Sequence, residues 1–338
     1  MSTTNNSPSP TTNVTERLAL LRAAMRRHRI DAFIVPSSDP HLSEYLPTRW
    51  QGREWISGFT GSAGTFIATD TFAGVWTDGR YWTQAESELA GTGIALMQIR
   101  SGGSVQYIDW LAENIEPGQT VASDFRVLGL ATARLLSETL AARGITLRTD
   151  IDLLDEVWST RPALPSHPVF EHAPPYAHTP RSDKLAQARA EMARLGANAH
   201  FISTLDDIAY LFNLRGADVS FNPVFLVHAL LRMESATLYV QAGKIPHDVR
   251  ERLHIDGVEL APYEEAADAL AALCAETTLQ VDPRHITAGM RAAVGREAHV
   301  IEAVNSTTLA KSRKTVAEAA HVRITMEQDG AALCEFFA

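Results

Sequence analysis

Hydrophobic positions along the chain follow two alternating rhythms. Leu18, Leu21, Met25 and Ile30 recur at helical spacing, and Ala32-Phe-Ile-Val35 follows as an apolar run of strand length. The same order returns later, with Leu185, Met192 and Leu195 on a helix face and Ala199-His-Phe-Ile202 as the strand. A shift of 167 residues superposes Arg22 on Arg189, Ala23 on Ala190, Met25 on Met192, Arg27 on Arg194, Ala32 on Ala199 and Asp39 on Asp206, without a gap. Trp55 to Gly61 and Tyr210 to Gly216 share an aromatic-to-glycine spacing, and each precedes a predicted strand, Thr65-Phe-Ile-Ala68 and Pro223-Val-Phe-Leu-Val227. This self-similarity points to a duplicated domain.

The rest of each half alternates in the same way. In the first, Ala73-Gly-Val-Trp-Thr77 completes a hairpin with the Thr65 strand. Strands at Ile94-Met97 and Thr120-Ser123 and helices at Val105-Asn114 and Ala131-Ala142 follow. The second half gives strands at Thr237-Val240 and Thr278-Val281 and helices around His247-Leu253 and Glu264-Ala275. Such alternation predicts an α/β fold, each half a mixed sheet covered by helices. Between them Pro162, Pro165, Pro168, Pro174, Pro175 and Pro180 exclude helix and central strand and predict a stiff, extended connector.

The last pattern is a helix. Thr315-Val-Ala-Glu318 has the form of a capping box, and Val316, Ala319, Val322, Met326, Leu333 and Phe337 form an apolar stripe. No stop signal follows. The expectation is that this helix opens a further domain and is the most exposed apolar surface of the chain. The expected divisions are a disordered tail over 1–13, a first domain over 14–160, the connector over 161–180, a second domain over 181–312 and the start of a third over 313–338.

Composition narrows the function. A 338-residue chain with 45% hydrophobic and 21% charged residues has material for two cores. A net charge of −10 disfavours nucleic acid and other polyanions. The basic run Arg22 to Arg29 reads as a solvated helix face. Cys274 and Cys334 cannot build a disulfide framework, and both are expected as buried thiols in a reducing compartment. The tail has no signal-peptide core, and no apolar run spans a bilayer, so a cytoplasmic protein without membrane attachment is expected.

Familiar catalytic signatures are missing. The glycines of Gly58-Phe-Thr-Gly61-Ser-Ala-Gly64 precede a strand and lack dinucleotide spacing, and no phosphate loop occurs. Gly61-Ser62-Ala63-Gly64 is no nucleophile elbow. Neither H-E-x-x-H nor C-x-x-C is present, and His167, His172 and His178 lie in the connector. His41 and Glu44 are three apart, so a helical turn would aim both one way, but a polar pair in a loop is the favoured reading. Three loop patches combine turn residues with charge: Ser37 to Tyr45, Trp76 to Trp82 and Asn213 to Pro223. A structural ion pair closing a turn explains each as well as function does.

Those patches carry a likeness. Asp39-Pro-His-Leu-Ser-Glu-Tyr45, Ser57-Gly-Phe-Thr-Gly-Ser-Ala-Gly64, Trp76-Thr-Asp-Gly-Arg-Tyr81, Ala209-Tyr-Leu-Phe-Asn-Leu-Arg-Gly216 and Asn222-Pro-Val-Phe225 resemble, in order, the three-domain Xaa-Pro aminopeptidases. Lys311-Ser312 and Glu327 to Phe337 resemble that family's entry into its catalytic domain. The resemblance implies two creatinase-type N-terminal domains followed by the first helix of a pita-bread metallopeptidase domain. In the family that last domain holds two divalent metals, usually Mn²⁺, through two Asp, one His and two Glu. A metal-bridging hydroxide attacks the bond before a proline in second position. The ligands lie beyond Ala338, so the resemblance gives this chain no metal ligand, no cofactor and no activity alone. It implies peptides with a penultimate proline as substrates and a homodimer for the full-length enzyme.

By the same resemblance Glu44 is the pocket acid, a proton-handling or substrate-amine group. His41, Asp78, Arg80, Arg215 and Asp218 are candidates for the substrate cleft or domain interfaces. The competing reading is a non-catalytic peptide- or protein-binding module of the same fold.

Overall fold

The structure is a computed structural model that describes residues 10–100 and 105–338. The chain divides into two compact units. One is residues up to Leu164 with Thr287–Ala292, and the other is Pro165–Ile286 with Ala293–Ala338.

The first unit runs α1 (Pro10–His28), β1 (Ala32–Pro36), α2 (Gly52–Ser57), β2 (Thr65–Thr69), β3 (Ala73–Asp78), α3 (Trp82–Glu88), β4 (Ala95–Ile99), α4 (Gln106–Asn114), β5 (Thr120–Ser123), α5 (Leu130–Ala141), β6 (Thr146–Arg148) and α6 (Leu153–Val157). Its sheet has the order β4-β3-β2-β1-β5-β6, and only β2 runs against the others. Successive residues of β1 serve opposite faces. Phe33 and Val35 pack with Leu18, Leu21 and Met25 of α1, whereas Ala32 and Ile34 pack with Ile108 and Leu111 of α4 and Leu136 and Leu140 of α5. Burial on both faces explains an unbroken apolar run in place of an alternating one.

The second unit repeats the plan. Its elements are β7 (Phe170–Glu171), α7 (Arg181–Arg194), β8 (Ala199–Ile202), α8 (Leu205–Leu211), β9 (Leu214–Arg215), β10 (Val227–Arg232), β11 (Ala236–Val240), α9 (His247–Ile255), β12 (Val258–Pro262), α10 (Ala266–Ala271), β13 (Thr278–Val281), β14 (His299–Glu302), α12 (Ser306–Ser312) and α13 (Val316–Phe337), while α11 (Ala288–Ala293), between β13 and β14 in the chain, belongs up to Ala292 to the first unit. The order β12-β11-β10-β8-β13-β14 matches the first sheet position for position, and β10 is its single reversed strand. A topology this particular, found twice in succession with β1 and β8 separated by 167 residues, supports the duplication.

Several expectations change. Helix α1 starts at Pro10, so residues 10–13 are helical; residues 1–9 of the expected tail lie outside the described residues. The connector supplies β7, which pairs with β9 through Phe170↔Arg215 and Glu171↔Leu214. Residues Pro223 to Leu226 precede the strand instead of forming it, because their backbone closes a loop: Pro223 O accepts from Gly216 N and Val224 O from Asp218 N. The helix expected to reach Ala275 ends at Ala271. Both cysteines are exposed, Cys274 in the turn after α10 and Cys334 on α13. Helix α13 has the expected capping box, no buried residue, and more exposed large apolar side chains than any other element.

Candidate functional site

In the first unit β1, β3 and β5 are parallel, so their C-terminal ends meet one edge of the sheet. Ligand sites of open α/β sheets form at such edges. The loop leaving β1 is pinned by Ser37, whose amide and hydroxyl both donate to Gly64 O at 3.1 and 2.8 Å. Asp39 is fully buried and its Oδ1 accepts the amides of His41 and Ser43 at 2.9 and 3.0 Å. This turn puts Leu42 at φ 55°, which no helix tolerates. His41 is therefore buried while Glu44 and Tyr45 face solvent, so the two are a polar pair of a loop and not one face of a helical turn.

Asp78 ends β3 and takes both Nε and Nη2 of Arg80 at 2.9 Å. That fork holds the Asp78 carboxyl below its ordinary range and raises Arg80, to which Glu44 adds the weakest of several contributions. Glu44, Asp78 and Arg80 thus share one field at this edge. Beside them Ser62 Oγ lies 2.6 Å from Tyr81 Oη.

The glycine-rich segment is a structural feature. Arg53, 5% exposed, donates to Ser37 Oγ at 2.6 Å, to Phe59 O at 2.7 Å and to Gly61 O, and stacks on the Phe59 ring. Burial lowers its guanidinium to about 10. A Cβ on Gly64 would stand 2.9 Å from Trp76 O, so this loop lies too close to the β3 backbone for a side chain.

Arg215 and Asp218 belong to the second unit and act inside it. Arg215 Nη1 donates to Ala209 O at 2.7 Å and Leu214 O at 2.9 Å, closing the end of α8, and burial lowers its pKa. Asp218 Oδ2 accepts Leu226 N at 2.7 Å and pairs with Lys244 Nζ, both side chains being fully buried. Lys244 also donates to Pro165 O at 3.2 Å, and His167 Nδ1 stands 3.8 Å from Asp218 Oδ1. Burial lowers Lys244, opposed by the Asp218 carboxylate. The six predicted residues therefore fall into a solvent-facing set, Glu44, Asp78 and Arg80, and an internal set, His41, Arg215 and Asp218.

Two groups escaped the sequence reading. Asp207, fully buried in the first turn of α8, accepts Thr308 Oγ1 at 2.8 Å and Asn305 Nδ2 at 3.3 Å, and lies 3.0 Å from Lys311 Nζ. It ties α12 to α8, and burial raises its pKa against those hydrogen bonds. The other is Lys184, buried on α7. Its place with Ala188 and Met192 on the helix's apolar face, four residues apart, was a usable signal.

Among the described residues no group of three or more His, Cys, Asp or Glu is arranged to hold a metal, so these residues do not fit a dinuclear centre. No helix among them is long and apolar enough to cross a membrane.

Comparisons with known proteins agree with the fold. Two profiles, each described as Creatinase/Prolidase N-terminal domain, match residues 17–157 and 160–318. The chain is 38% identical over 338 residues to a probable Xaa-Pro aminopeptidase P of Talaromyces stipitatus, covering 97% of this chain and 51% of that one. For the Sordaria macrospora protein of the same name the figures are 36%, 97% and 55%. The crystal structure of X-prolyl aminopeptidase from Caenorhabditis elegans, described as a cytosolic enzyme with a di-nuclear active site, aligns with a TM-score of 0.89 and 26% identity over 96% of this chain and 55% of that one. The chain spans about half the length of the curated relatives it matches. With both halves matched and the same strand order in each, the chain belongs to the creatinase/prolidase N-terminal domain family and carries two such domains in tandem.

Proposed function

We propose that this chain is the N-terminal, two-domain part of a metal-dependent Xaa-Pro aminopeptidase, which removes the N-terminal residue before a penultimate proline. The observation that carries this is similarity along 97% of the chain to enzymes of that name, together with coverage of only about half their length. The metals, two Mn²⁺ or another divalent ion, belong to the half that follows, and α13 leads into it. The two domains here wall the cleft and admit peptide N-termini. Glu44 serves as the pocket acid, with Asp78 and Arg80 lining the same approach. His41 sits in the loop that carries Glu44, and Arg215 and Asp218 border the substrate cleft or a domain interface. The complete enzyme is a cytoplasmic homodimer.

The test has two arms. Purified Met1–Ala338 with Mn²⁺ and an Xaa-Pro peptide is expected to release no amino acid. The chain extended by its downstream coding sequence is expected to release the first residue in a Mn²⁺-dependent reaction. Turnover by the short chain overturns its inertness. A folded long form with no turnover, or one that retains a protein partner in stoichiometric amount instead, favours a non-catalytic binding module.

A further inference from the structure

Lys184 is an incompletely answered charge. It is 4% exposed, and its Nζ donates to Tyr210 O at 3.0 Å and Asn213 Oδ1 at 2.7 Å while lying 3.9 Å from the centre of the Tyr210 ring. An ammonium carries three protons, and two neutral acceptors use two of them. No carboxylate of the described residues pairs with it. Glu318 acts on it from a distance, and its Oε2 is taken by Thr315, accepting the amide at 2.8 Å and the hydroxyl at 3.0 Å. Burial without a counter-ion lowers Lys184 to about 8.

This ammonium lines a groove of about 760 Å³ between α7 and α12. Arg313, at the end of α12, lines it too and forms no ion pair among the described residues. Arg194 is already bound to Glu191 at 2.7 Å. The remaining wall includes Leu195, Leu211 and Leu309. The groove therefore joins a buried cation whose hydrogen-bond acceptors are neutral, a second cation with no ion pair among the described residues, and an apolar surface.

We propose that this groove binds a small monocarboxylate with a compact apolar body. The carboxylate completes the Lys184 coordination and meets Arg313, and the body covers the leucines. A buried charge gains most from a partner that removes it from solvent together with its own countercharge. One buried ammonium answers one negative charge, and the leucines disfavour a fully hydrated ion such as phosphate. The carboxylate can come from a free acid or from the C-terminus of a short peptide. The inference stands apart from the peptidase reading, since every residue it uses lies in the second unit and none acts on a scissile bond.

The experiment is calorimetric titration of Met1–Ala338 with isovalerate, N-acetyl-leucine and inorganic phosphate. Binding of isovalerate or N-acetyl-leucine is expected, and the tighter of the two identifies the free acid or the peptide end as the source. Lys184→Met is expected to weaken it about tenfold and the exposed Arg313→Gln about threefold. Arg313→Gln keeps the test valid if Lys184→Met fails to fold. Absence of carboxylate binding, phosphate binding alone, or unchanged affinity in Arg313→Gln overturns the proposal.

Discussion

Arg22 and Arg189, one in each domain, perform the same task. The Nε of Arg22 donates to Thr69 O at 3.0 Å and that of Arg189 to Arg232 O at 2.9 Å, and each acceptor is the last residue of its domain's reversed strand. Their 167-residue separation is the offset at which the two halves align. Replacing either by Met is expected to remove about 1 kcal/mol of unfolding free energy, the ordinary net value of such a bond. Urea unfolding of the two single variants checks this, and the losses should be similar.

Arg53 should be far less forgiving. Its guanidinium satisfies Ser37, Phe59 and Gly61 at once. Lysine has no planar fork, so Arg53→Lys leaves buried carbonyls unmet and should cost about 2–3 kcal/mol. An unchanged melting temperature would contradict the account of the glycine-rich loop.

The two acid–base pairs at the predicted site should separate cleanly. Asp78–Arg80 is exposed, so Arg80→Gln should leave the urea midpoint in place. Asp218–Lys244 is buried, and Lys244→Met strands a carboxylate at a cost of about 3–5 kcal/mol. In the extended chain proposed above, a fall in kcat/KM for Arg80→Gln at unchanged stability would then mark function in place of folding.

His200 predicts a pH response of the second domain. It is fully buried, and its Nε2 lies 2.9 Å from Asn305 Oδ1. Asn305 Nδ2 donates to Thr204 and Asp207, so its Oδ1 accepts and His200 carries its proton on Nε2. Burial lowers the imidazole from 6.5 to about 4. A group whose pKa falls on folding contributes stability above its unfolded pKa and loses it as pH drops. The domain should therefore lose about 3 kcal/mol between pH 6.5 and 4 from this residue. Unfolding measured across that window for the parent and His200→Gln checks it, and the variant should show a smaller slope.

Asp207 should govern how firmly α12 is held. Asp207→Ala removes the acceptor of Asn305 and Thr308 and one of the two carboxylates paired with Lys311, the other being Asp206. Amides of residues 306–312 are expected to exchange at least about tenfold faster, with those of β13 unchanged. Uniform exchange across both segments would show that α12 does not open on its own.

What the sequence disclosed follows from how each feature is encoded. Leu18, Leu21 and Phe33 are legible because a core face repeats with the period of its element. The edge strands β6, β12 and β14 went unread. They are short and half exposed, and Thr146-Leu-Arg148 offers no pattern to detect. The opposite directions of His41 and Glu44 could not be read, because the positive φ of Leu42 is invisible in a residue type that rarely adopts it. Asp207, Asn305 and Lys311 are brought together across about a hundred residues, so no local motif announces them.

The pairing of β7 with β9 decides where the second domain can be cut free. A gene beginning at Arg181 would discard Phe170–Glu171, the Glu171 carboxylate bound by Arg181 and Arg252, and the Pro165 carbonyl bound by Lys244. Only a version starting at or before Pro165 retains them all. The proline tract is thus luggage of the second domain, and a protease that nicks it near Pro162 would release a sounder fragment than one that trims it away.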